Sequence, residues 1–164
     1  MAERVRYVIK DREQSPFAEA FRALSASIRG AEILGKQPLV LFASASAGDG
    51  GTMTAVNAAA LLAYAGHRVI LVDCDLRRPI VGDVFGLKNI GLTNIIQEEA
   101  APETVLQDTW IPGLKVVTSG PLSRGPVAVL SNPQTRTLLE HLRTRADYVF
   151  LTSTPILIKP DSIV

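Results

Sequence analysis

Only one cysteine, Cys74, occurs in the 164 residues. A single thiol excludes an internal disulfide framework and a cysteine-based zinc cage. Aromatic residues make up 5% of the chain, too few for the stacking platforms that hold bases or sugars. Neither sign of charge prevails. Seventeen Lys+Arg oppose sixteen Asp+Glu, a formal net charge of +1, which removes the bulk electrostatic case for nucleic acid or an anionic membrane and leaves only a local basic cluster open. Long apolar runs are missing too. The richest stretch, Val56 to Ala65, is about half a bilayer span. The charged start Met1-Ala2-Glu3-Arg4-Val5-Arg6 has no apolar segment behind it, which argues against a signal peptide. The expectation is a soluble, cytoplasmic, reduced protein. What is present, 47% hydrophobic and 20% charged, suits one globular domain and excludes wholesale disorder.

The chain divides into a polar stretch, residues 1–14, expected as a loose N-terminal arm, and a single domain over 15–164. Ser15-Pro16 reads as a helix start, with Ser at the N-cap and Pro at the first helical position. Phe17, Phe21, Leu24 and Ile28 follow as one apolar stripe on a helix ending at Gly30. Beyond Pro38, short continuous apolar runs alternate with helical patterns. Strands are expected over 39–43, 68–73, 114–118 and 148–152. Helices are expected from about Thr52 to Ala65, over 79–85 and 92–96, and from Asn132-Pro133 to about Arg145. Strand–helix alternation of this kind predicts an α/β fold, a doubly wound parallel sheet with helices on both faces. Ligands of such sheets bind at the carboxyl ends of the strands, so the loops after Ala43, Asp73, Thr118 and Thr152 carry the functional interest.

Two of these loops have chemistry. Ala45-Ser46-Ala47-Gly48-Asp49-Gly50-Gly51-Thr52 joins a strand to a helix. Small residues and three glycines let backbone N–H groups converge on an anion at the helix start. The segment fits every fixed position of the phosphate-loop pattern except the lysine, which is Gly51. Thr52 stands where a hydroxyl would hold Mg²⁺; a plain glycine-rich turn is the alternative. The second loop is Asp73-Cys74-Asp75-Leu76-Arg77-Arg78-Pro79. Period-two alternation puts both carboxylates on one side of the chain. There they could hold Mg²⁺ or take a proton from a nucleophile, while Arg77 and Arg78 could pair with phosphate or with the aspartates. The alternative is a charged turn in which Asp75 caps the helix at Pro79. Cys74 alternates to the opposite face and reads as a small buried hydrophobe. His67, His141 and Trp110 lack partners for catalysis or metal binding, and Arg136, Arg143 and Arg145 read as a solvated helix face.

Together the two loops resemble the bacterial tyrosine kinases (BY-kinases) of capsule and exopolysaccharide synthesis, within the MinD/ParA-like branch of P-loop proteins. The likeness runs along nearly the whole chain. Ser15 to Leu24 resembles the family's N-terminal helix, and Ala43 to Asn57 its Walker A loop and helix. Asp73-x-Asp75-x-Arg77 matches the Walker A′ signature, Ser119-Gly120-Pro121 its Ser-Gly-Pro turn, and Asp147 to Leu151 the approach to its Walker B motif. The resemblance implies a P-loop domain binding ATP or ADP with Mg²⁺ and phosphorylating tyrosines in a neighbouring subunit's tail. It implies Asp73 and Asp75 as catalytic residues, Ala47, Gly48, Asp49, Gly50, Gly51, Thr52 and Met53 around the phosphates, and Thr52 and Asp73 at the metal. It also implies a homo-oligomer through the Glu19/Arg22 helix, a membrane chain-length regulator as partner, no nucleic acid, and a place at the inner face of the membrane through that partner.

Four positions depart from the family pattern. Gly51 replaces the Walker A lysine; losing one preorganised donor to developing charge costs roughly 3–4 kcal/mol. Thr152 stands at the Walker B aspartate. Ser25 replaces the last arginine of the Glu-x-x-Arg-x-x-Arg helix motif. The given sequence ends at Val164, which leads to the expectation that the last strands and tyrosine-rich tail are lacking; its tyrosines are Tyr7, Tyr64 and Tyr148. Lys159 is a candidate substitute for the missing ammonium. The expectation is therefore a family member with weak or no phosphoryl transfer, the alternatives being an active tyrosine kinase and a MinD/ParA-like nucleotide-binding regulatory module.

Overall fold

A computed structural model describes residues 9, 14–30, 37–97, 101–122 and 125–157. Lys159 and most of the expected arm lie outside the described residues. In chain order the elements are α1 (Pro16–Gly30), β1 (Leu39–Phe42), α2 (Gly51–Tyr64), β2 (Val69–Val72), α3 (Val81–Phe85), α4 (Leu92–Gln97), α5 (Pro102–Val105), β3 (Gln107–Asp108), β4 (Leu114–Val117), α6 (Pro126–Leu130), α7 (Pro133–Arg143) and β5 (Tyr148–Thr152). The sheet order is β1-β5-β2-β4-β3. The first four strands are parallel. At one edge, β3 pairs antiparallel with β4, Gln107 facing Val116 and Asp108 facing Lys115. The expected parallel sheet is thus present, with one short antiparallel strand added at its edge, where Lys115 and Asp108 form an ion pair of 2.8 Å.

The central strands explain the layering. All four residues of β2 are buried, as a strand covered on both faces requires. Leu71, with Val69 and Phe150, packs beneath α2 and α3; Ile70 and Val72 pack on the other face with Leu92, Leu138 and Leu142 of α4 and α7. Each fully buried Leu or Phe contributes about 1.5–3 kcal/mol by leaving water. Helix α2 buries Ala55 through Ala63 without interruption, its alanines letting it lie close to the sheet. Gly66 ends it with φ +90°, a left-handed turn that suits glycine.

Local signals act as their chemistry dictates. Ser15 Oγ accepts from Ala18 N–H at 3.1 Å, and Asn132 Oδ1 accepts from Gln134 N–H at 2.8 Å, so both N-caps form. Two expectations change. Phe17 lies at the margin of the α1 stripe and is 51% exposed, while Ala18 and Ser25 take the fully buried positions. Ile9, within the stretch expected to be loose, is buried beside Ala18 and Leu61, with its N–H held by the buried Asn57 Oδ1 at 2.7 Å.

Candidate nucleotide site

The carboxyl ends of β1, β5 and β2 open onto a cavity of about 530 Å³. The β1–α2 loop supplies Ala47, Gly48, Gly50, Gly51, Thr52 and Met53 to its wall. The segment after β2 supplies Asp75, Arg77 and Arg78, and the segment after β5 supplies Ser153, Thr154 and Pro155.

The loop is held by its own residues and, at its start, by the segment after β5, where Ile156 N–H and Leu157 N–H donate to Ser44 O and Ala45 O at 3.0 and 3.1 Å. Gly48 and Gly50 take φ of +94° and +83°, conformations strained for other side chains. Asp49 turns back, and its Oδ2 accepts from Ser46 N–H at 2.7 Å. Asp49 does not line the cavity; of the expected phosphate-binding set it alone serves the loop's closure. At Gly51 an added Cβ would stand 3.0 Å from Ser44 Cβ, so the missing side chain has been exchanged for close packing. The first amides of α2, at Gly51, Thr52 and Met53, precede the helix's first i→i−4 donor, which is Thr54 N–H to Gly50 O at 2.8 Å. They are the donors an anion would use.

The two aspartates take different parts. Asp73 is fully buried. Its Oδ1 accepts from Thr152 Oγ1 at 2.8 Å and from Asp75 N–H at 3.2 Å; its Oδ2 accepts from Ile80 N–H at 3.2 Å and Val81 N–H at 3.1 Å. A carboxylate has about four lone-pair sites, and all are filled. Burial, only partly offset by these donors, pushes Asp73 up to about 6. Asp73, not Asp75, holds the start of α3. Asp75 Oδ1 instead accepts from Arg77 N–H, Arg78 N–H and Thr154 Oγ1 at 3.1, 3.0 and 3.3 Å, making the turn that carries both arginines. Asp75 is 7% exposed and lines the cavity.

The structure brings together the loops expected after Ala43, Asp73 and Thr152, and within them adds Ser44, Ile80 and Ser153 to Pro155 to the residues singled out from sequence. A signal existed: Thr154 follows Thr152 with the same period of two as Asp75 follows Asp73, and the pairs meet rung by rung. The loop after Thr118 is not part of the cavity. Its carbonyls receive the start of α4, Leu92 N–H reaching Thr118 O at 2.9 Å and Thr93 N–H reaching Ser119 O at 3.0 Å. Cys74 is buried among Val72, Leu76 and Leu92, and burial pushes its thiol far up. His141 and Arg145 pair with Glu103, and Arg143 with Glu140. His67 sits edge-on to Tyr148, and Trp110 packs against Phe85. Among the described residues no group of three or more His, Cys, Asp or Glu is placed to hold a metal ion.

No protein-family model matches the chain. Tyrosine-protein kinase YwqD of Bacillus subtilis is 32% identical over 146 residues, 88% of this chain and 62% of that protein. The kinase domain of Escherichia coli tyrosine kinase ETK superposes with a TM-score of 0.83 at 27% identity, covering 88% of this chain and 57% of that one. At 21% identity, the septum site-determining protein MinD of Pyrococcus horikoshii, a structure complexed with Mg-ADP, superposes with a TM-score of 0.60 over 69% of this chain and 47% of its own; it shares the fold. The chain thus spans about three fifths of the Bacillus relative. With the glycine-rich loop, the paired aspartates and the mostly parallel sheet, the chain is similar in sequence and in fold to bacterial tyrosine-protein kinases.

Proposed function

We propose that this chain is the nucleotide-binding domain of a polysaccharide-export type tyrosine kinase system, and that it holds ATP or ADP while transferring phosphate weakly or not at all. The observation that carries this reading is the loop from Ala47 to Met53, whose residues other than Asp49 line a 530 Å³ cavity at the start of α2. Backbone N–H groups at a helix start bind phosphate without a lysine. Transfer needs more: a cation on the moving phosphoryl group and a carboxylate free to act on the incoming hydroxyl. Gly51 supplies no cation, and Asp73 has no free lone pair. Asp75 is the carboxylate that faces the cavity, and Thr52 the hydroxyl at the helix start.

The remaining assignments follow the family. Glu19 and Arg22 on α1 are proposed as a self-association face, with a membrane chain-length regulator as partner that holds the domain at the inner membrane surface. No described helix is long and apolar enough to cross a membrane.

Two readouts on one sample test the proposal. A fluorescent ADP analogue should bind, and radiolabelled ATP should leave no phosphotyrosine on the chain or on a supplied tyrosine-rich peptide. Strong labelling abolished by Asp75→Asn would establish an active kinase instead.

A further inference from the structure

We propose that Arg78 meets nucleotide phosphate in this cavity and supplies there the positive charge that Gly51 leaves out of the loop. This rests on the nucleotide reading above and names the side chain that recognises the phosphates.

The charges on the wall are the reason. A nucleoside diphosphate brings several negative charges into the cavity, and charge held away from bulk water without a partner is costly. Backbone amides at the start of α2 offer dipoles, not a full charge. Among the described residues, the charged side chains on the wall are Asp75, Arg77 and Arg78. Asp75 is an anion and adds to the need. Arg77 is already engaged within the protein. Arg78 is exposed, and among the described residues its guanidinium has no hydrogen-bond or ion-pair partner.

The fold also braces the backbone from which that guanidinium extends. Arg78 N–H donates to Asp75 Oδ1 at 3.0 Å, and the buried Asp75 is held further by Arg77 N–H at 3.1 Å and Thr154 Oγ1 at 3.3 Å. Pro79 follows and restricts the backbone of the residue before it. The stem thus leaves a fixed turn on the cavity wall, while the head is free to turn. A guanidinium keeps its charge at every physiological pH and presents phosphate with a planar fork of donors. Coming from a separate segment of the wall, Arg78 serves binding. It does not restore the ammonium that would follow the moving phosphoryl group from the helix start.

The test is calorimetric titration of the whole chain with ADP in millimolar MgCl₂. Arg78→Ala and Arg78→Gln are expected to weaken binding by about tenfold or more. Arg78→Lys should recover part of the loss, since it returns the charge without the fork. Because the Arg78 side chain is exposed, these replacements leave the core intact. A charge role, unlike a structural one, also predicts coupling to position 51. Gly51→Lys is measured against Gly51→Ala, so that the new Cβ beside Ser44 cancels. The gain in ADP binding should be at least about threefold larger in the Arg78→Ala chain than with Arg78 in place. If Arg78→Ala and Arg78→Gln both bind ADP within about twofold of the wild type, or if the two positions are additive, the inference fails while the nucleotide reading stands. If the wild type binds no ADP, the nucleotide reading fails and takes this one with it.

Discussion

Burial shifts the acidity of one carboxylate of the site, Asp73. Unfolded, it would ionise near 3.8; folded, burial holds it up to about 6. Between those values the folded chain keeps a proton that the unfolded chain has released. Stability attributable to Asp73 is therefore greatest below about 4 and falls by about 3 kcal/mol as pH rises through 6. Urea unfolding across this window should show that decline in the wild type and its absence in Asp73→Asn. Thr152→Val keeps the shape but removes the 2.8 Å donor. Above pH 6 it should cost about 2 kcal/mol, and less near pH 4, where the carboxyl is neutral. A loss equal at both ends would mean that the hydroxyl supports packing and not charge. The sequence announced the two aspartates and the period that puts them on one side. It did not announce which one faces the cavity, because that depends on the chain folding α3 back over Asp73.

Among the elements, α4 shows how much rests on one glycine. A Cβ on Gly91 would lie 1.7 Å from Thr118 O, a backbone atom that cannot turn aside. Gly91→Ala should force the start of α4 off the end of β4 and cost about 3 kcal/mol, measurable by denaturant midpoint. A change under about 0.5 kcal/mol would show that α4 moves freely there. The long elements were readable: β1, β2, β4 and β5 as apolar runs, α1 and α7 by their caps and stripes, and α2 between a glycine loop and Gly66. Of the short ones, α3 and α4 were readable and β3, α5 and α6 were not. β3 is Gln107-Asp108, with no apolar residue, and exists because β4 offers an edge. α5 and α6, with four and five residues, carry too little periodicity to separate from loop.

For the whole molecule, the proposed ligand becomes a source of stability. ADP at about a hundred times its dissociation constant should add about 2.7 kcal/mol, a rise in melting temperature of roughly 5–10 °C for a domain of this size. Differential scanning with and without ADP reads it directly, and no shift at saturating ADP would remove nucleotide as the ligand. The likeness to bacterial tyrosine-protein kinases was legible because the residues of two separate loops, Ala45 to Thr52 and Asp73 to Pro79, carry it in the sequence itself. The charge balance of the site was not, since it depends on hydrogen bonds between residues 79 positions apart.

Asp73 also acts as a rivet. Its four donors come from β5, from the turn after β2 and from the opening of α3, so no one of these parts can swing without stranding a naked charge. A motor that reports its fuel by moving that turn would need the rivet to slip. Here slipping means breaking at least one of those four hydrogen bonds.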